Sequence, residues 1–158
     1  MVPSPISKIS LEGREFYVKR DDLVDPFLAG NKFRKLHSLI ETPNEKYTKI
    51  ISYGGTQSNA MLAIAALCKQ KSWEFIYYSK PLSQAIKEQT YGNFFLALEL
   101  GMKHIEIEHT FYRDFVASLR IGIDDKTFLI DQGGASAVAE EGLKVLATEI
   151  KDANLEVK

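Results

Sequence analysis

From residue 49 to residue 131, short runs rich in β-branched and aromatic residues alternate with longer segments of helical period, and this alternation limits the fold more than any other feature. The runs are KIISY (49–53), EFIYYS (74–79), HIEIEH (104–109) and TFLID (127–131). Between them the spacing predicts helices over 58–71, 84–100 and 112–119, and a last helix runs from Ser136 to about Asp152. Strands separated by helices are joined by right-handed crossovers, which build a parallel sheet covered on both faces. The expected class is α/β, with four parallel strands and their helices forming a small domain over 49–134.

The flanking segments do not complete a second unit. EFYVKR (15–20) predicts a strand, DLVDPFLAG a loop closed by Gly30, and Asn31 an N-cap for a helix in which Phe33, Leu36, Leu39 and Ile40 share a face up to Thr42 and Pro43. Neither this strand and helix nor the last helix has an evident partner, so their apolar faces are expected to be exposed and to drive association. NLEVK stands where a further strand would be expected to begin. The reading is an incomplete portion of a second α/β domain: 1–48 as its N-terminal piece and 135–158 as a helix returning to it.

Composition narrows the function. The formal charge is -1, with Lys and Arg spread along the chain, so nothing favours nucleic acid, and a small-molecule role is more natural. A single cysteine, Cys68, lies in an apolar helical pattern, where it suits the core and cannot form an internal disulfide. The N-terminus lacks a signal-peptide pattern and no apolar run spans a bilayer, which predicts a reduced, cytoplasmic, soluble protein.

Two stretches carry chemistry. In SYGGTQSNAMLAIAAL (52–67) a strand ends at Gly54 and Gly55 and leads into a helix at Ser58. Such a turn presents backbone N–H groups to a carboxylate or phosphate at the C-terminal end of a parallel strand, with the Ser58 hydroxyl and Asn59 amide beside it. In LAGNKFRKL (28–36), Lys32 follows a glycine at a helix start, where partial burial would lower its pKa and free a neutral amine for Schiff-base chemistry. Lys35, one turn on, could share a bound anion with it. No GxGxxG or Walker A lysine is present. The Asp21 and Asp22 pair does not make a phosphoacceptor site, because Tyr53-Gly54-Gly55 stands where the acceptor aspartate would be. His104, Glu106 and Glu108 alternate onto one face of HIEIEH, which is expected to be a solvated edge-strand face, and no metal site is assigned.

Taken together, VKRDDLVDPFLAGNKFRKL, SYGGTQSNA and FLIDQGGASAVAEEGL resemble the N-terminal half of the 1-aminocyclopropane-1-carboxylate deaminase / D-cysteine desulfhydrase family, pyridoxal-phosphate (PLP) enzymes of the tryptophan-synthase-β-like fold type. The resemblance implies a lyase or deaminase acting on a small amino acid, and a homodimer in the full-length form. It implies that Lys32 holds PLP as a Schiff base and moves protons at the substrate Cα. Lys35 would lie near the cofactor phosphate, and Asn59 would bond the PLP ring oxygen. Thr56, Gln57, Ser58 and Asn59 would receive the substrate carboxylate on their backbone N–H groups, with Ser58 close to the reacting carbon. The family's Gly/Thr-rich phosphate loop is not among these residues, so the chain alone is expected to bind PLP weakly and to lack appreciable activity. Ala29 and Phe33 replace smaller residues common in the family, and Phe33 would narrow the site. The alternatives are a truncated, non-enzymatic remnant, or a cofactor-free α/β module that binds a small carboxylate at the turn.

Overall fold

The computed structural model describes residues 3–134 and 139–155. Its elements are β1 (Ile6–Leu11), β2 (Arg14–Lys19), α1 (Gly30–Lys35), α2 (His37–Glu41), β3 (Lys49–Tyr53), α3 (Asn59–Lys71), β4 (Glu74–Ser79), α4 (Gln84–Lys87), α5 (Gly92–Glu99), β5 (Met102–Glu106), α6 (Tyr112–Ser118), β6 (Thr127–Ile130) and α7 (Ala139–Asp152). Strands β5-β4-β3-β6 form the expected parallel sheet, with Ile50 opposite Phe75 on one side and Phe128 on the other. The fold is α/β.

Alternation along β4 turns Phe75, Tyr77 and Ser79 into the core, and along β3 Ile50 and Ser52 do the same. The helix α3 is buried from Ala60 to Cys68, because it lies between the sheet and α1 and α5. A helix apolar on every side needs such a surround. Cys68 belongs to this core, where burial pushes its thiol up and removes it as a nucleophile. Residue Ser72, left-handed at φ 60°, ends α3, and Trp73 packs edge-on against Tyr47.

Several expectations are corrected. The first strand does have a partner: ISKISL forms β1, antiparallel to β2 through a two-residue turn, Glu12 and Gly13, with φ 50° and 74°. The first helix begins at Gly30 with Ala29 at the cap, and Asn31 instead accepts a hydrogen bond from Lys32. It breaks at Leu36 into α1 and α2. Its apolar face is not exposed, since Phe33, Leu36 and Leu39 join the same core as the sheet. That burial also corrects Phe33, which packs in the core beneath the Arg34 guanidinium. The helix expected over 84–100 is two: α4 ends at Lys87, and α5 starts afresh at Gly92, which takes φ 85°. The third strand is β5, two residues earlier than HIEIEH, so Glu108 lies beyond it.

The last helix is not an orphan either. It packs on α1 and α2 so closely that a Cβ at Gly142 would stand 1.8 Å from the Arg34 carbonyl oxygen. Its expected start at Ser136 lies outside the described residues. Leu143 and Ile150 on its outer side remain exposed, as expected. No helix among the described residues is long and apolar enough to cross a membrane.

A candidate carboxylate and cofactor site at the β3–α3 turn

The turn at 54–59 sits at the C-terminal end of the central strand β3. Gly54 has φ 145°, and a Cβ there would lie 2.9 Å from the Tyr77 hydroxyl, so both backbone and space require glycine. Tyr77 donates to the Gly55 carbonyl at 3.0 Å, and burial raises the Tyr77 pKa, so it remains a neutral donor. Ser58 is the N-cap of α3: its Oγ accepts from the amides of Ala60 at 3.2 Å and Met61 at 3.3 Å. Among the described residues, the backbone N–H groups of Thr56, Gln57, Ser58 and Asn59 have no acceptor within the chain. A short row of free donors at a helix N-terminus is what a carboxylate binds.

Beside the turn lies a cleft of about 340 Å³ lined by Gly54, Gly55, Thr56, Ser79, Lys80, Pro81, Tyr112 and Gln132. Of the residues expected at the site, Thr56 alone lines it. The far wall is braced at Asp131, which accepts from Tyr53 at 3.0 Å and from Arg120 at 2.6 Å through both oxygens. Burial, and then Asp131, raise the Tyr53 pKa and keep its hydroxyl a donor.

Lys32 lies in the first turn of α1, and its only side-chain partner among the described residues is the neighbouring Asn31 Oδ1 at 3.1 Å. Burial, and after it the charge of Lys35, hold its pKa below the usual lysine value. Lys35 reaches the other way, donating to the Gly133 carbonyl at 3.2 Å. That bond ties α1 to the Gln132–Gly134 turn, which itself contacts α3. Both lysines therefore stand on a helix that touches α3, while no direct hydrogen bond joins either of them to Thr56, Gln57, Ser58 or Asn59 among the described residues.

Asn93 and Gln89, which the sequence reading did not single out, belong to this region. Asn93 Nδ2 donates to the Gln57 carbonyl at 3.1 Å and to Asn59 Oδ1 at 2.6 Å, its backbone N–H donates to Gln57 Oε1 at 3.2 Å, and Gln57 Nε2 donates to Gln89 Oε1 at 3.1 Å. The one signal that could have found them is the Gly92-Asn93 pair inside a helical pattern. His104 is half-buried rather than solvated, bonded to Ser79 Oγ at 2.8 Å and edge-on to Phe94, while Glu106 pairs with Lys87. Among the described residues no cluster of His, Cys, Asp or Glu is suited to a metal ion.

No family model matches the chain. Over 149 residues it is 30% identical to a candidate 1-aminocyclopropane-1-carboxylate deaminase of Pyrococcus furiosus, covering 90% of this chain and 44% of that protein. The fold superimposes on the crystal structure of a homologue of 1-aminocyclopropane-1-carboxylate (ACC) deaminase with a TM-score of 0.71 and 25% identity, over 99% of this chain and 50% of that one. The chain belongs to the 1-aminocyclopropane-1-carboxylate deaminase / D-cysteine desulfhydrase family. A 56-residue stretch, 35% of this chain and 17% of the relative, is also 41% identical to a D-cysteine desulfhydrase of Salmonella newport. The chain spans about half the length of the curated family members it matches.

Proposed function

We propose that these residues form the amine, ring-oxygen and carboxylate side of a PLP-dependent lyase or deaminase site for a small amino acid, either D-cysteine or 1-aminocyclopropane-1-carboxylate. The observation that carries it is the pairing of an amine of lowered pKa, Lys32, with a free row of turn amides on the helix packed against it. The residues present fit the cofactor: a lysine amine held only by the neighbouring Asn31 side chain among the described residues and able to react with an aldehyde, and an Asn59 amide nitrogen without an acceptor among them. When bound, PLP supplies an electron sink for charge developing at the substrate Cα.

The chain's own part follows from its donors. The amides of Thr56, Gln57, Ser58 and Asn59 hold the substrate carboxylate and so fix the Cα beside the turn. Lys32, neutral for a larger fraction of the time than an ordinary lysine, would hold the cofactor aldehyde and would take the Cα proton of D-cysteine; 1-aminocyclopropane-1-carboxylate carries no Cα proton, so with that substrate the proton would have to move at a ring carbon. Asn59 donates to the ring oxygen. Lys35 lies near the cofactor phosphate, and by itself it supplies little of the binding that group needs. PLP binding by this chain alone is accordingly weak, and appreciable turnover requires phosphate contacts beyond these residues. The divisions after 48 and 134, and a homodimer in the full-length form, belong to the same proposal.

The test is to mix the purified chain with PLP, reduce with borohydride, and map the modified peptide by mass spectrometry. Labelling confined to Lys32 and lost in Lys32→Ala is the expected result. Labelling spread over surface lysines would overturn the assignment. Binding of D-cysteine or 1-aminocyclopropane-1-carboxylate that needs no PLP and survives Lys32→Ala would instead establish a cofactor-free carboxylate module.

A further inference from the structure

Four amide side chains, Gln57, Asn59, Gln89 and Asn93, bond in a row across the gap between α3 and α5. An amide side chain can face a neighbour with either its oxygen or its nitrogen, so a row made only of amides could run in both directions. Here two backbone groups remove the choice. The Gln57 carbonyl can only accept, so the Asn93 atom 3.1 Å from it must be the nitrogen. The same nitrogen lies 2.6 Å from Asn59, which must therefore present its oxygen to Asn93. At the other end the Asn93 backbone N–H can only donate, which turns the Gln57 oxygen toward it at 3.2 Å and sends the Gln57 nitrogen to Gln89. Asn93 and Gln57 are oriented by main chain and pass that orientation on to Asn59 and Gln89, and the nitrogen of Asn59 is left without an acceptor among the described residues.

We infer that Asn93 is a positioning residue that locks Asn59 with its NH2 group outward, so that the site takes a ligand with an acceptor oxygen at that point and disfavours one presenting a hydroxyl donor. This rests on the proposed function insofar as the ligand is PLP, whose ring oxygen would then be held as the unprotonated acceptor. Asn93 touches neither substrate nor cofactor in this role. Its location explains the helix break: Gly92, at φ 85°, starts α5 beside Gln57, and a Cβ at Gly92 would lie 3.1 Å from Gln57 Oε1. An uninterrupted helix over 84–100 would lack the helix start that brings the Asn93 N–H to Gln57.

The test has two readouts. In the 15N-labelled chain without cofactor, the Asn59 side-chain amide should exchange its hydrogens freely and the Asn93 amide slowly. Asn93→Asp places an oxygen against Asn59, which should turn round and slow its exchange about tenfold, the protection of one hydrogen bond. Asn93→Ala, which adds no acceptor, should leave Asn59 exchange fast and its two NH2 signals averaged toward mobile values. A protected Asn59 amide in the unaltered chain, or one indifferent to both substitutions, would overturn the inference. The second readout is trapping on Lys32 by PLP against 3-deoxypyridoxal phosphate, which lacks the ring oxygen. The chain should favour PLP, and Asn93→Asp should reduce that preference about tenfold. Failure of the unaltered chain to label Lys32 with either aldehyde would sink the proposed function, and the amide exchange would still decide the role of Asn93.

Discussion

The Arg34 guanidinium donates to both oxygens of Glu149, at 3.0 and 2.8 Å, across 115 residues of chain. Its remaining face is taken by Asp21, with Nε at 2.8 Å from Oδ2 and Nη2 at 2.6 Å from Oδ1, and Ser4 Oγ lies 3.2 Å from Nη2. Lys19 adds a second cation 2.7 Å from Glu149. One planar fork thus fastens the segment after β2, the helix that carries Lys32, and α7.

Removing the fork leaves two carboxylates in a nearly closed space. Arg34→Met is expected to lose about 3–5 kcal/mol, the cost of stranding one side of a buried ion pair, and Arg34→Lys to recover only part of it. Urea unfolding followed by circular dichroism measures both, and a loss below about 1 kcal/mol for Arg34→Met would contradict the assignment.

The same cluster sets an acid limit. Burial pushes the Asp21 carboxyl up, but the bonds from Arg34 and Ser4 outweigh it and hold it below the usual carboxylate range; the Arg34 bond does the same for Glu149. Groups with depressed folded pKa values add stability above their unfolded values, about 4, and lose it as pH falls through the folded ones. The urea midpoint should stay level from pH 7 to about 5 and fall below about 4, with a shallower fall in Arg34→Met.

Gly142 gives a prediction of opposite sign to helix propensity. In an isolated helix Gly→Ala gains about 1 kcal/mol, yet here the new methyl meets the Arg34 carbonyl at 1.8 Å and must push α7 away from α1. Gly142→Ala is expected to lose roughly 1–3 kcal/mol. Because it also separates Arg34 from Glu149, its loss should not add to that of Arg34→Met. A raised thermal midpoint would show that the helices do not touch there.

Ser58→Ala removes the acceptor for the Ala60 and Met61 amides and should cost about 1 kcal/mol of stability. Small-carboxylate affinity at the turn, measured by NMR shifts of residues 56–59, should change independently of that loss, since the binding amides remain. Ser58→Asp should keep the cap and repel the carboxylate, separating the two roles.

Lys32 reactivity should follow pH. Its pKa is lowered by burial first and by Lys35 second, so borohydride-trapped PLP labelling should begin to rise at lower pH than for an exposed lysine. Lys35→Met deletes the neighbouring positive charge, which raises the Lys32 pKa and moves the labelling profile to higher pH. A profile unmoved by Lys35→Met would leave burial as the sole cause.

Local pattern was sufficient wherever a single element decides the outcome. The alternation in EFIYYS and KIISY marked β4 and β3 to the residue, and Ser58 before an apolar run marked the start of α3. It failed where two influences compete within one window. Ile86 before Gly92 and Phe94, Ala97 and Leu98 after it fall at near-helical spacing, so the period hid the break. ISKISL lies among prolines and serines, and its strand character depends on pairing with β2.

The sequence by itself determined the parallel α/β class, the four strands of its sheet in chain order, and the residue types at the turn and at Lys32, because strand and helix periods and turn chemistry are properties of neighbours in the chain. Only the tertiary structure decided that Arg34 meets Asp21 and Glu149, that α7 lies against α1, and that Asn93 faces Gln57 and Asn59. Those contacts join residues 13 to 115 positions apart, and what brings them together is the packing of helices around one sheet, which no local period encodes.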